Sequence, residues 1–232
     1  MSRPPLLIHI PKTAGTSLNQ SGLVIPTSYK GLKDEVKKQI EMDPRNAFTV
    51  KETEFEYLSG QDFGQRVQKH LPYSYLSREY LNRFDRVVSV VRNPWSRLVS
   101  FYNFADVMGN LFANSWYHQP RISWDEYINR LDSFTMTPNF YWRHPYDNWA
   151  SQSDYVSYKK VDFLRYENIT GDLSEYLGKE VELPVVNRYK KADYRTYYTE
   201  EQKQKVADWF RVDIDYWGFD FESPATKNYW TP

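Results

Sequence analysis

The stretch Leu6-Leu7-Ile8-His9-Ile10-Pro11-Lys12-Thr13-Ala14-Gly15-Thr16-Ser17 constrains the fold more than any other part of the chain. Residues 6–10 form a near-continuous apolar run, which suits a strand buried on both faces of a parallel sheet. The run breaks into a cluster of Pro, Gly and Thr, and a short helix is expected from about Ser17. A strand that feeds a tight loop and then a helix converges Lys12, the hydroxyls of Thr13, Thr16 and Ser17, and the loop amides on one place where an oxyanion can sit. The loop differs from a Walker A loop, because Lys12 precedes the small-residue turn instead of standing directly before the Ser/Thr, and the fixed glycine spacing is missing.

A second unit of the same kind follows. Val87-Val88-Ser89-Val90-Val91 is the most β-branched run in the chain, and the strand it predicts over 84–91 breaks at Arg92-Asn93-Pro94. Pro94 fits the first turn of a helix whose apolar positions Trp95, Leu98, Val99, Tyr102 and Phe104 recur at helical spacing. Arg92 then stands at a strand end and Ser100 two turns along the helix, where both can reach one phosphate. An Asp that would hold magnesium is missing from this strand end, so a metal-dependent NTPase fits poorly.

Further strands are predicted over 47–51 and 161–166, and helices over 33–41, 62–70, 124–131 and 172–177. Thr199-Glu200-Glu201-Gln202 is a capping box, and the helix it starts, with Val206, Trp209 and Phe210 on one face, is expected to run to about Asp213. Strands alternating with helices predict an α/β fold, a three-layer sandwich around a mostly parallel sheet. The 232 residues suit a single domain, with a substrate-facing excursion at about 105–150, where Trp, Tyr, His, Pro and Asn are abundant and periodicity is weak.

Composition removes several function classes. Thirty basic side chains balance thirty acidic ones, so no global field favours nucleic acid or anionic membranes, and any anion site must be local. The absence of Cys excludes disulfides, thiolate metal sites and a Cys nucleophile. The apolar run at 6–10 is too short for a signal-peptide core or a membrane span, which predicts a soluble, cytoplasmic protein.

On the motifs His9–Ser17 and VVRNPWSRLVSFY (residues 90–102), the chain resembles the Golgi-type carbohydrate sulfotransferases and their bacterial relatives, the group that includes heparan sulfate 2-O-sulfotransferase. Lys69-His70-Leu71-Pro72, Gln152-Ser153-Asp154-Tyr155, residues 162–168 and parts of 183–221 are similar to further blocks of that group. The resemblance implies a P-loop-like fold and a donor, 3'-phosphoadenosine-5'-phosphosulfate, used without a metal. Carried over, it gives Lys12, Thr13, Gly15, Thr16 and Ser17 the 5'-phosphosulfate, and Arg92 and Ser100 the 3'-phosphate. Arg188 or Lys190 would add a contact from a loop closing over the nucleotide, although the same basic segment reads equally as a solvated turn.

Lys12 is the residue expected to neutralise charge on the leaving oxygen. The acceptor hydroxyl, on a carbohydrate by the resemblance, must lose a proton, and His70 matches the family position of the base. Glu52, Glu54 or Glu56 remains an alternative base, because some relatives use a carboxylate. His9 reads as a packed or loop-bracing residue, and His118 and His144 as loop histidines. Trp116, Tyr117, Trp142 and Arg143 are candidates for a sugar-binding wall. Two other readings compete: a P-loop kinase-like phosphotransferase, which lacks its Walker Lys-Ser/Thr pair here, and a non-catalytic nucleotide- or glycan-binding module.

Overall fold

The computed structural model describes residues 3–42, 70–111, 122–133, 150–184 and 192–232. Strands β1 (Leu6–Ile8), β2 (Ile25–Pro26), β3 (Val87–Val91) and β4 (Asp162–Arg165) form a parallel sheet in the order β2-β1-β3-β4. Leu6 pairs with Ile25 on one side and Val87 on the other, and Val91 pairs with Arg165. In chain order the helices are α1 (Gly15–Ser21), α2 (Asp34–Met42), α3 (Arg78–Leu81), α4 (Pro94–Leu111), α5 (Trp124–Asn129), α6 (Ile169–Leu177), α7 (Glu200–Trp209) and α8 (Arg211–Trp217).

The two-residue period of each strand divides its apolar side chains between two cores. Leu7, Val88, Val90 and Leu164 pack with Leu18 of α1 and with Leu173 and Tyr176 of α6. On the opposite face Leu6, Ile8, Val91 and Phe163 meet Leu98 and Phe101 of α4, Tyr127 and Ile128 of α5, Val206 of α7 and Trp217 of α8. The result is the α/β three-layer sandwich expected. Strands β1 and β3 are neighbours, and the chain leaves them in opposite directions along the sheet, towards β2 and β4. Their carboxyl ends therefore open on a topological switch point, where open α/β sheets bind ligands.

Several boundaries differ from expectation. Strand β1 stops at Ile8, and α1 starts at Gly15, two residues before Ser17. Strand β2, two residues at the sheet edge, carries Pro26, which an edge tolerates because no ladder donor is needed there. The helix expected to run from 199 to about Asp213 breaks at Phe210 (φ −100°, ψ 25°), and α8 continues to Trp217 with Gly218 as its left-handed cap. The break lets Phe210, Asp213 and Trp217 all face inward, each at most 1% exposed. Within 105–150, helix α5 belongs to the core, since Tyr127 and Ile128 are fully buried. The strand expected at 47–51 and the helix at 62–70, up to residue 69, lie outside the described residues. Among those described, no helix is long and apolar enough to cross a membrane.

Candidate active site at the ends of β1 and β3

The loop after β1 is bent by two left-handed residues, Lys12 and Ala14, both with φ 68°. That conformation costs a non-glycine residue about 1–2 kcal/mol, so it persists only where neighbours hold it. Here the Thr13 hydroxyl donates to the Ile10 carbonyl at 2.7 Å, Arg97 Nε to the Pro11 carbonyl at 3.1 Å, and Arg92 Nη1 to the Lys12 carbonyl at 3.0 Å. Gly15 is required by proximity rather than by φ: a Cβ there would stand 1.7 Å from His9 Nε2. His9, nearly buried, thus braces the loop from below, as the sequence suggested. Thr16 is exposed and Ser17 half-buried on the first turn of α1.

Strand β3 delivers Arg92 to the same place. Its guanidinium donates through Nε and Nη2 to the Ser96 hydroxyl at 3.0 and 2.8 Å, and its carbon lies 4.0 Å from the centre of the Tyr166 ring. With the Lys12 carbonyl, these contacts engage three of the five N–H donors a guanidinium offers. Burial lowers the basicity of Arg92, opposed by the fields of Tyr166, Glu167 and Tyr194. Ser100, the predicted phosphate partner, is half-buried one turn beyond Ser96 on the same face of α4.

His70 approaches from the other side. Its ring centre lies 4.2 Å from that of His9, and its Nδ1 is 3.1 Å from the His9 carbonyl oxygen. A carbonyl can only accept, so Nδ1 carries the proton and, in the neutral ring, Nε2 is the basic nitrogen. The Lys12 ammonium lies 3.9 Å above the centre of the Phe104 ring, within cation–π range. Lys12, Thr13, Gly15, Arg92 and His70 therefore meet around the ends of β1 and β3, with Thr16 and Ser17 on the first turn of α1 and Ser100 on the second turn of α4.

The sequence reading missed the polar frame behind these groups. Gln152, fully buried, accepts from Arg92 N at 2.8 Å and donates to Arg92 O at 2.9 Å, which extends the β3 ladder by one side chain. Asp213 holds Gln152 in turn, accepting from the amides of Gln152 at 2.7 Å and Ser153 at 2.9 Å. Burial raises the Asp213 carboxyl above the usual range, and those amides oppose the shift. Asn93 caps α4 through Oδ1, which accepts from Trp95 N and Ser96 N, while its own N–H donates to Glu167 at 2.9 Å. Arg97 had a visible signal, a cation among the apolar positions of a helix. Gln152 had only its place in a block similar to the sulfotransferase group, and Asp213 had none, because a lone buried polar residue leaves no period. Glu52, Glu54, Glu56, Arg188 and Lys190 lie outside the described residues, as do His118, His144, Trp116, Tyr117, Trp142 and Arg143.

A family model described as a sulfotransferase domain matches residues 30–183, more than half of the chain. The chain belongs to that family, and its chemistry is sulfuryl transfer to a hydroxyl-bearing acceptor. The matched span includes His70, Arg92 and Ser100 and begins after the loop at 9–17. A comparison with curated proteins finds no match.

Proposed function

We propose that the chain transfers the sulfuryl group of 3'-phosphoadenosine-5'-phosphosulfate to a carbohydrate hydroxyl, as a member of the heparan sulfate 2-O-sulfotransferase-like group. The observation that carries this reading is the bond from Arg92 Nη1 to the Lys12 carbonyl at 3.0 Å, which puts two basic loops from adjacent parallel strands side by side. A donor with a phosphosulfate at one end of its ribose and a phosphate at the other needs two such anion sites; a nucleoside triphosphate needs one continuous cradle. Lys12 with Thr13, Gly15, Thr16 and Ser17 takes the 5'-phosphosulfate. Thr13 contributes its amide, because its hydroxyl is engaged with Ile10. Arg92 and Ser100 take the 3'-phosphate, with Arg188 or Lys190 adding a contact from the 185–191 segment.

The acceptor oxygen attacks sulfur in line, the bond from sulfur to the bridging oxygen breaks, and adenosine 3',5'-bisphosphate leaves. His70 Nε2 takes the acceptor proton and Lys12 neutralises the leaving oxygen. A sulfuryl group carries less charge than a phosphoryl group, so the step proceeds without a metal. The whole chain acts as one domain, with acceptor recognition assigned to the excursion at about 105–150 apart from the buried α5. The test is transfer of labelled sulfuryl from the donor to a library of carbohydrate acceptors in the presence of a chelator. Product on a carbohydrate supports the reading, whereas transfer only to phenols or peptides refutes the acceptor assignment.

A further inference from the structure

Arg97 is unusual among the described charged residues. It is 1% exposed, on the first turn and a half of α4, and no carboxylate lies within ion-pair distance of it among the described residues. Its Nε donates to the Pro11 carbonyl at 3.1 Å and its Nη1 to the Ala150 carbonyl at 2.9 Å, while Nη2 has no hydrogen-bond partner among the described residues. The Phe101 ring centre is 5.1 Å away, and the field of Asp213 reaches it without a bond. Two neutral carbonyls do not offset the cost of burying a guanidinium, and an apolar side chain of similar length would fill the space more cheaply. Packing alone therefore does not account for a cation at this position.

The loop geometry supplies a reason. A trans peptide is planar, with its C=O and N–H pointing in opposite directions, and the described residues include no cis peptide. The bond to the Pro11 carbonyl thus turns the Lys12 N–H to the side of the loop away from Arg97. The next peptide is fixed in the same manner by Arg92 on the Lys12 carbonyl, which turns the Thr13 N–H. Successive N–H groups bent around left-handed Lys12 and Ala14 make an anion-accepting concavity.

From this geometry we infer that Arg97 is a positioning residue of the donor site: it fixes the Pro11–Lys12 peptide, presents the Lys12 amide to the phosphosulfate, and places an unneutralised cation behind it. The inference rests on the donor reading above. Through Ala150 the same guanidinium ties the loop to the residues just before the 152–155 turn.

The test uses the full chain carrying Arg97→Met or Arg97→Lys. For each, folding is checked by circular dichroism and melting, the Kd for adenosine 3',5'-bisphosphate by calorimetry, and kcat and donor KM by transfer assay. Arg97→Met is expected to raise both the bisphosphate Kd and the donor KM about tenfold or more. Arg97→Lys keeps the charge but reaches only one of the two carbonyls, and falls between Met and wild type. A purely structural strut would instead lower the melting temperature and leave the Kd of the folded protein unchanged. Folded variants that bind the bisphosphate within about twofold of wild type overturn the assignment of Arg97 alone. If Arg97→Met does not fold, Arg97→Lys decides on the same criterion. Wild-type protein that does not bind the bisphosphate overturns the donor reading and this inference together.

Discussion

Gly15 shows how little room the site leaves. An added methyl would collide with the His9 ring, which is itself held between the loop and His70. Gly15→Ala should therefore displace His9 or the loop, at a cost of about 1–3 kcal/mol by melting, and weaken bisphosphate binding. Either a wild-type melting temperature or wild-type affinity would show that the loop gives way more easily than its contacts suggest. His70 carries a sharper expectation. Heteronuclear NMR of the imidazole should find the neutral ring protonated on Nδ1, facing the His9 carbonyl, with Nε2 unprotonated. His70→Ala should retain bisphosphate affinity while turnover falls by about a hundredfold or more. Normal turnover in that variant would move the base to a carboxylate.

At the scale of elements, the ends of β3, the 152–155 turn and α8 act as a relay: Asp213 holds Gln152, and Gln152 holds the Arg92 backbone. Gln152→Ala leaves a buried N–H and C=O unpaired and should cost about 2 kcal/mol, and it should lower bisphosphate affinity, which a destabilising variant remote from the site should leave unchanged. Thr199→Ala is such a control, since it removes only the N-cap of α7, worth about 1 kcal/mol. The elements also show which features a sequence can carry. Leu6 to Ile8 was legible as an unbroken apolar run and Val87 to Val91 as a β-branched one, because each strand is buried on both faces. Thr199 to Gln202 was legible because a capping box is a local hydrogen-bond pattern. Strand β2 was not, since two residues with a proline carry no period, and neither was the break at Phe210, which tertiary packing imposes on helix-forming residues. Lys12, Arg92 and His70 were singled out from their places in motifs. The frame behind them, Arg97, Gln152 and Asp213, depends on contacts across more than fifty residues of chain, so that even where a residue such as Arg97 stood out among apolar neighbours its partners could not be read locally.

For the molecule as a whole, stability should weaken in acid through Asp172. It accepts from Arg165 N at 2.8 Å, Nε at 3.0 Å and Nη2 at 2.7 Å, and from Asn168 Nδ2 at 2.7 Å. Burial alone would raise its carboxyl, but these donors prevail and hold it below the usual value. The unfolded chain then binds the proton more readily than the folded one. The contribution is present in full above the unfolded value of about 3.9 and disappears as pH falls through the lower folded value. Asp172→Asn should cost about 3 kcal/mol near neutrality, and its deficit against wild type should shrink as pH falls below about 4. A deficit that stays constant with pH would mean that the carboxylate charge plays no part.

The central claim is that two loops at the ends of β1 and β3 form paired anion sites matched to a 3'-phosphorylated donor. Thermal melting with ligands tests it most directly. Without divalent metal, adenosine 3',5'-bisphosphate at a hundred times its Kd should stabilise the protein by about 2.7 kcal/mol, and ATP with magnesium at the same concentration much less. Stabilisation by magnesium-ATP with none from the bisphosphate would contradict the account.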